Sequence, residues 1–339
     1  MSIEQWRHEL FLSECREVVR WLLRPASIIY PFIHDMPRSG DASAMRTTSS
    51  LQFAASQLTT LRWELPEELC HCIEHGFEAI SLWRPKLSDL SLADARGLLQ
   101  QAGVRVASLQ WAGGFTGSDG RSFQESIDDC CEAIDTADQL DTDLLVVYAG
   151  CRAGHTRSHA RRLVLQALEE LAPVAAAAGV QLAVKPVRSA AAAGCGFLNT
   201  IAESLEVIEA VAHPHVGLAV DLWAYADDSG AFADCDRLAR HTRVVCLADR
   251  QGPLQGDQER LPPGRGSLPL ASRLESLVTA GFRGVAELDP VGETVARDGY
   301  EATLAALGSY AAAASSRRGL GVARRPAAAM LAETGAFRS

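Results

Sequence analysis

The sequence contains no G-x-G-x-x-G turn, no C-x-x-C pair, no uninterrupted apolar run long enough to span a bilayer and no basic stripe. Each absence removes a class of function. An open nucleotide-binding sheet needs a glycine-rich turn after an early strand, and none is present. Cysteines number nine, an odd count, and the close pairs Cys70 with Cys72 and Cys130 with Cys131 have neither zinc nor redox spacing. Together with Cys246 they fall in apolar periodic segments, so buried, reduced thiols are expected. The opening MSIEQWRHELFLSECREVVRWLLRP carries charges every few residues, which argues against a signal peptide or membrane anchor; a cytoplasmic protein with no membrane partner is expected. A formal net charge of −10 argues against a general nucleic-acid binder, which needs a basic face to meet phosphates.

What is present is alternation. At 339 residues, with 47% hydrophobic and 22% charged residues, the chain has the composition of a soluble enzyme and is long enough for one α/β barrel. Trp6, Leu10, Phe11, Val18 and Leu22 share one face of an amphipathic helix that ends before Pro25, and residues 26–50 read as a connecting segment. From residue 51 the chain repeats strand and helix, with strands expected at 51–57, 77–83, 104–110, 142–148, 180–186, 215–221, 242–248 and 283–289. Several helices stop at a glycine just before the next strand, as in QQAGVRV and AAAGVQL. Strands apolar at nearly every position belong in a sheet covered on both faces, and eight β/α units close into a (β/α)8 TIM barrel over 51–310. Residues 1–50 then form an N-terminal helix and linker, and 311–339 an Ala/Arg-rich tail.

In such a barrel the functional groups sit at the carboxyl ends of the strands. Those positions hold Gln57, Trp83, Arg84, Gln110, Trp111, Tyr148, Lys185, Asp221, Cys246, Asp249 and Glu287. Rim packing is the plainer role for Trp83 and Trp111, and loop capping for Asp249. Lys185, Asp221 and Glu287 stand apart, because ionisable side chains inside apolar strands are costly to bury unpaired. A shared site is expected for these three.

The segments QLTTLRWELPEEL, GFEAISLWRPKL, VASLQWAGGFTG, VGLAVDLWAY, VVCLADR, LPPGRGSLPL and GVAELDP, in that order and spacing, resemble the xylose-isomerase-like barrels, a family of sugar-phosphate isomerases and epimerases, inosose dehydratase relatives and apurinic endonucleases. The resemblance covers roughly residues 51 to 310. It implies a divalent metal held by a glutamate, an aspartate, a histidine and a glutamate at the ends of the fifth to eighth strands, with the glutamates relaying protons between sugar carbons. On this chain those positions are Lys185, Asp221, Cys246 and Glu287. A histidine common after the sixth-strand aspartate is Ala224, and an acid common after the seventh strand is Arg265.

Half of the implied metal shell is therefore missing. Three carboxylates, a neutral histidine and a divalent cation leave one net negative charge; Lys185 with Asp221, Glu287 and a neutral Cys246 leaves the same. Opposite charges about 4 Å apart attract by about 4 kcal/mol at an effective dielectric near 20, so the ammonium is expected to stand in for the metal and no cofactor is expected. A zinc site on Asp221, Cys246 thiolate and Glu287 is the alternative. None of the nine histidines ends strands five to eight, and His155, the nearest, reads as a loop residue.

Three functions remain open. One is a sugar or polyol isomerase or epimerase in which Glu287 is the acid/base, Lys185 the electrostatic substitute and Asp221 or Asp249 a second proton acceptor. The others are a barrel that has lost catalysis and is kept for binding or regulation, and a lyase or aldolase forming a Schiff base on Lys185. The expected partner is a small sugar, polyol or sugar phosphate, and assembly into a homo-oligomer stays open.

Overall fold

Eight parallel strands close on themselves in sequence order in the computed structural model, which describes residues 51–192, 196–256 and 258–316. They are β1 (Gln52–Ser56), β2 (Ala79–Trp83), β3 (Arg105–Gly113), β4 (Leu144–Tyr148), β5 (Gln181–Val184), β6 (Val216–Asp221), β7 (Thr242–Leu247) and β8 (Val285–Leu288). The ring is completed by β8 against β1, with Phe53 opposite Ala286. Each strand lies in an expected segment except that β3 runs on to Gly113 instead of stopping at Gln110.

The main helices are α1 (Leu65–Glu74), α2 (Leu92–Ala102), α3 (Phe123–Gln139), α4 (Arg157–Ala177), α5 (Ile201–Val211), α6 (Leu222–Tyr225), α7 (Cys235–His241), α8 (Leu270–Thr279), α9 (Glu293–Asp298) and α10 (Tyr300–Ser316). Their ends follow local chemistry. Ser122 and Glu125 form a reciprocal capping box at the start of α3, and Gly103 ends α2 in the left-handed conformation that glycine adopts without strain. No helix among the described residues is long and apolar enough to cross a membrane. The expected N-terminal helix lies outside the described residues, as does the tail beyond Ser316; residues 311–316 continue α10.

Strand alternation divides the core into two shells. Outward side chains such as Ile80, Leu82, Leu109, Leu145, Leu182, Leu218, Val245 and Leu288 pack under the helices. Inward ones are smaller: Leu144, Val146, Ala183, Ala219 and Val244 form one cluster, and Ala54, Ala79 and Ala107 another. Because side chains repeat every second residue, these inward rows lead on to the polar mouth. Ala183 is followed by Lys185, Ala219 by Asp221, Val244 by Cys246, Val146 by Tyr148, and Val285 by Glu287 and Asp289. Cys72, Cys130 and Cys246 are buried as expected, whereas Cys70 is exposed and Cys131 half-buried, each on the outer side of its helix.

Gly113, where β3 meets β4, has φ +120°, and a Cβ there would lie 2.1 Å from the Tyr148 carbonyl oxygen. Gly179 also has positive φ (+71°), but has open space around it. Gly113→Ala should therefore lower the unfolding free energy by about 2 kcal/mol or more, and Gly179→Ala by about 1. Denaturant midpoints at unchanged slope measure both, and equal losses would contradict the close packing at Gly113.

Candidate active site

Strand register sets the first row of the site. Asp221 of β6 lies beside Cys246 of β7, and Cys246 beside Glu287 of β8. Lys185, directly after β5, reaches across with Nζ 3.4 Å from Asp221 Oδ2, and donates to Cys246 Sγ at 3.4 Å. Glu287 is completely buried but takes different partners: Gln110 Nε2 lies 2.6 Å from both of its oxygens, and Ser108 Oγ donates at 3.2 Å. The expected sharing of Lys185 between the two carboxylates thus holds for Asp221 only. Glu287 is held by neutral donors from β3.

A second cation completes the balance, and the strand ends gave no sign of it. Arg260 comes from the loop between β7 and α8, which is fastened by antiparallel bridges between Asp249 and Leu261 and between Arg260 and Val291. Its guanidinium grips Asp221 through both terminal nitrogens at 3.0 Å, and Nη2 also lies 2.7 and 2.6 Å from the oxygens of Asp289. Nε donates to the Asp289 carbonyl at 3.2 Å, and the group stacks 5.0 Å from the Trp223 ring centre. Trp223 is fixed in turn, its indole N–H donating to the Glu259 carbonyl and its backbone N–H to Asp221 Oδ1, both at 3.1 Å. Asp289 continues the inward row of Glu287, so the period of two that placed Glu287 could have found it. No local pattern marks Arg260.

The charges set the protonation states. Burial raises the pKa of Asp221, but Arg260 and Lys185 outweigh it and hold the carboxyl down at about 2. For Asp289, burial joined by the charges of Asp221 and Glu287 prevails over Arg260 and Lys185, and its pKa rises to about 6. Burial also works against charge on Lys185, yet the acidic groups around it, Asp221 and Asp289 among them, hold its pKa well above the ordinary lysine range. Burial drives the Cys246 thiol well up, so it is neutral at physiological pH. The phenol of Tyr148 is pushed up to about 12, burial again being the first cause.

The mouth is aromatic. Trp83 and Trp111 lie with ring centres 6.2 Å apart, and Trp111 meets Tyr148 edge-on at 5.5 Å. Trp111 is 41% exposed, which leaves a ring face open at the rim. Gln110 Oε1 and Trp83 Nε1 are buried polar atoms without a hydrogen-bond partner among the described residues. Three other strand-end residues point away from the mouth, on the outward parity. Gln57 binds Glu68 of α1 at 2.5 Å and the Trp83 backbone N–H at 2.8 Å. Arg84 forks onto Asp129 of α3 at 3.2 and 3.0 Å. Asp249 accepts the backbone N–H groups of Arg250, Gly264 and Leu268 at 2.9 to 3.0 Å, which shapes the loop that carries Arg260. Ala224 is buried in α6, Arg265 pairs with Asp298, and His155 packs on His159.

The family model for the xylose isomerase-like TIM barrel matches residues 71–310. The chain belongs to this family. Inosose isomerase of Halalkalibacterium halodurans is 22% identical over 251 residues, covering 70% of this chain and 87% of that protein. D-psicose 3-epimerase of Enterocloster bolteae is 32% identical over 95 residues, 28% of this chain and 29% of that protein. Among solved structures, the IOLI protein with a bound zinc atom superposes with a TM-score of 0.69 at 20% identity, covering 78% of this chain and 98% of that one.

Within this xylose isomerase-like barrel, removing one member of a buried ion network strands the others. Arg260→Met should cost about 3–5 kcal/mol, because Asp221 and Asp289 both lose their shared partner. The two carboxyls also give opposite pH dependences. Asp221, depressed below its ordinary value of about 4, stabilises the fold above that pH and loses the contribution as pH falls toward about 2. Asp289, raised to about 6, favours the fold below about pH 4 and loses that contribution as pH rises through 6. Melting temperatures across pH 3–8 should therefore show a fall between about 4 and 6 that Asp289→Asn flattens; an unchanged slope in the variant would contradict this assignment.

Proposed function

We propose that this chain is a sugar or polyol isomerase or epimerase that moves a proton between neighbouring carbons with its own side chains, the strand-end cations standing where the family uses a divalent metal. The observation that carries this is the cation network of Lys185 and Arg260 on Asp221 and Asp289, beside Glu287. The relatives named inosose isomerase and D-psicose 3-epimerase support a polyhydroxylated carbonyl substrate. An ammonium has three donors; Asp221 and Cys246 take two on Lys185, which leaves one for the carbonyl oxygen of a bound sugar. A positive charge fixed there stabilises the negative charge that grows on that oxygen when the neighbouring carbon loses its proton. Glu287, oriented by Gln110 and Ser108, is the base, and Asp289, titrating near 6, exchanges protons at neutral pH. Both carboxylates sit at the end of β8, Glu287 within it and Asp289 directly after it, so the proton leaves and returns on one side of the substrate. That suits a shift between adjacent carbons better than inversion at one centre. The exposed ring of Trp111 can pack against the C–H face of the sugar.

The donor set supports a metal-free mechanism. Both oxygens of Asp221 already bind Arg260, Lys185 lies against one of them, and Cys246 is held as the neutral thiol. A divalent ion at this point would meet two cations and lack a thiolate. The Schiff-base alternative requires a neutral Lys185, and its raised pKa runs the other way. One observation favours a barrel kept for binding without turnover: Arg260 ties up Asp221 and Asp289 together across the mouth.

Proton abstraction can be followed directly as deuterium uptake from D2O into the carbon next to the carbonyl of inososes and ketohexoses. Uptake and isomerisation should persist in EDTA, and Glu287→Gln should slow both by roughly 10²- to 10⁴-fold. Activity abolished by EDTA and restored by manganese would overturn the metal-free mechanism. Saturable sugar binding with no exchange on any substrate would instead favour the binding barrel.

A further inference from the structure

The last turn of α1 carries His71 and Glu74, and His75 caps it, a set that the strand-end chemistry does not use. A helix following β1 runs back toward the amino ends of the strands, so this turn lies on the opposite side of the barrel from Lys185. Residues three and four apart share one helix face, and the ligand atoms of these three side chains all lie within 4.8 Å of one another.

Two observations point to a bound ligand here and not only to an ion pair. His71 Nδ1 lies 3.0 Å from Glu74 Oε2, yet it is buried and the approach lacks hydrogen-bond geometry. His75 Nε2 is buried with no hydrogen-bond partner among the described residues, its ring lying parallel to that of His71 with centres 6.3 Å apart. Buried polar atoms are almost always paired, so two orphaned imidazole nitrogens in one helical turn call for a shared partner. The rings are also held in place. Trp63 stacks on His71 at 4.4 Å and is itself braced edge-on by Tyr300 at 5.3 Å. The backbone of His75 is pressed against α10, where a Cβ on Gly308 would meet its carbonyl oxygen at 2.2 Å.

We propose that His71, Glu74 and His75 form a zinc-class metal site on the outside of the barrel. Two neutral imidazoles and a carboxylate suit zinc, with metal–nitrogen distances of about 2.0–2.1 Å and a fourth, tetrahedral position left for water. Neighbouring ligand atoms then sit roughly 3.3 Å apart, which rotation of the rings and of the exposed Glu74 side chain can reach. Imidazole also disfavours magnesium and calcium, which take oxygen ligands. The site is independent of the proposed sugar chemistry, and it has a practical consequence: zinc found in the whole protein belongs to α1 and not to the strand ends.

The test is a zinc titration of the full-length, tag-free, chelator-stripped protein against a chromophoric chelator. One zinc per chain is expected, weakened on the order of 100-fold by His71→Asn or His75→Asn, about tenfold by Glu74→Gln at an exposed position that leaves the fold intact, and unaffected by Cys246→Ser. No binding tighter than about 100 μM would overturn the proposal. Zinc retained at full affinity by the histidine variants, or lost in Cys246→Ser, would overturn it equally.

Discussion

Asp221, Glu287 and Asp289 are gathered at the carboxyl ends of β6 and β8, each 5% exposed or less, and the barrel closes around them only because cations and donors are built in beside them. An isolated buried carboxylate is far costlier than one that is paired and hydrogen-bonded. Lys185 and Arg260 meet the charge of Asp221, Arg260 extends to Asp289, and Gln110 and Ser108 hold Glu287. Two cations against three carboxylates leave a single negative charge, the same balance that the family's metal site would carry. The three carboxyls nevertheless behave differently. Asp221 is fixed as the anion, whereas Asp289 titrates where a proton carrier is useful.

The loop that delivers Arg260 has to be stiff for this to work, since the guanidinium must hold two carboxylates at once. Asp249 collects three backbone N–H groups within it, and the completely buried Arg250 ties it to Asp227 and to the Trp223 carbonyl. Trp223 meanwhile supports Arg260 by its ring and is held by Asp221. Strand ends and loop therefore stabilise one another, and disturbing either loosens both.

All eight strands could be read from their apolar runs, several of them preceded by a helix-ending glycine, because local pattern and barrel position agree. The inward set of Lys185, Asp221, Cys246, Glu287, Gln110, Tyr148 and Trp83 was legible from strand ends. Gln57, Arg84 and Asp249 were grouped with it because nearness to a strand end says nothing about parity: Ala55, Leu82 and Leu247 face the helices, and residues two further on do the same. The same parity, applied to Glu287, reaches Asp289. Arg260 was hidden for another reason, since it arrives by isolated bridges from a long loop and no short-range pattern records such a contact. Charge balance could be inferred without it only because Arg260 and Asp289 enter as a pair and cancel.

The central claim is that Lys185 takes the charge role of a divalent ion at the strand ends. Thermal melts of the wild type and Lys185→Glu, with and without manganese, test it most directly, because manganese favours carboxylates over the imidazoles of α1. Without metal, Lys185→Glu adds a carboxylate to a crowded cleft and should melt well below the wild type; manganese, by binding only the folded state, should recover part of the loss while leaving the wild type unmoved. A metal-free variant that melts like the wild type, or a wild type that manganese stabilises as much as the variant, would contradict the account.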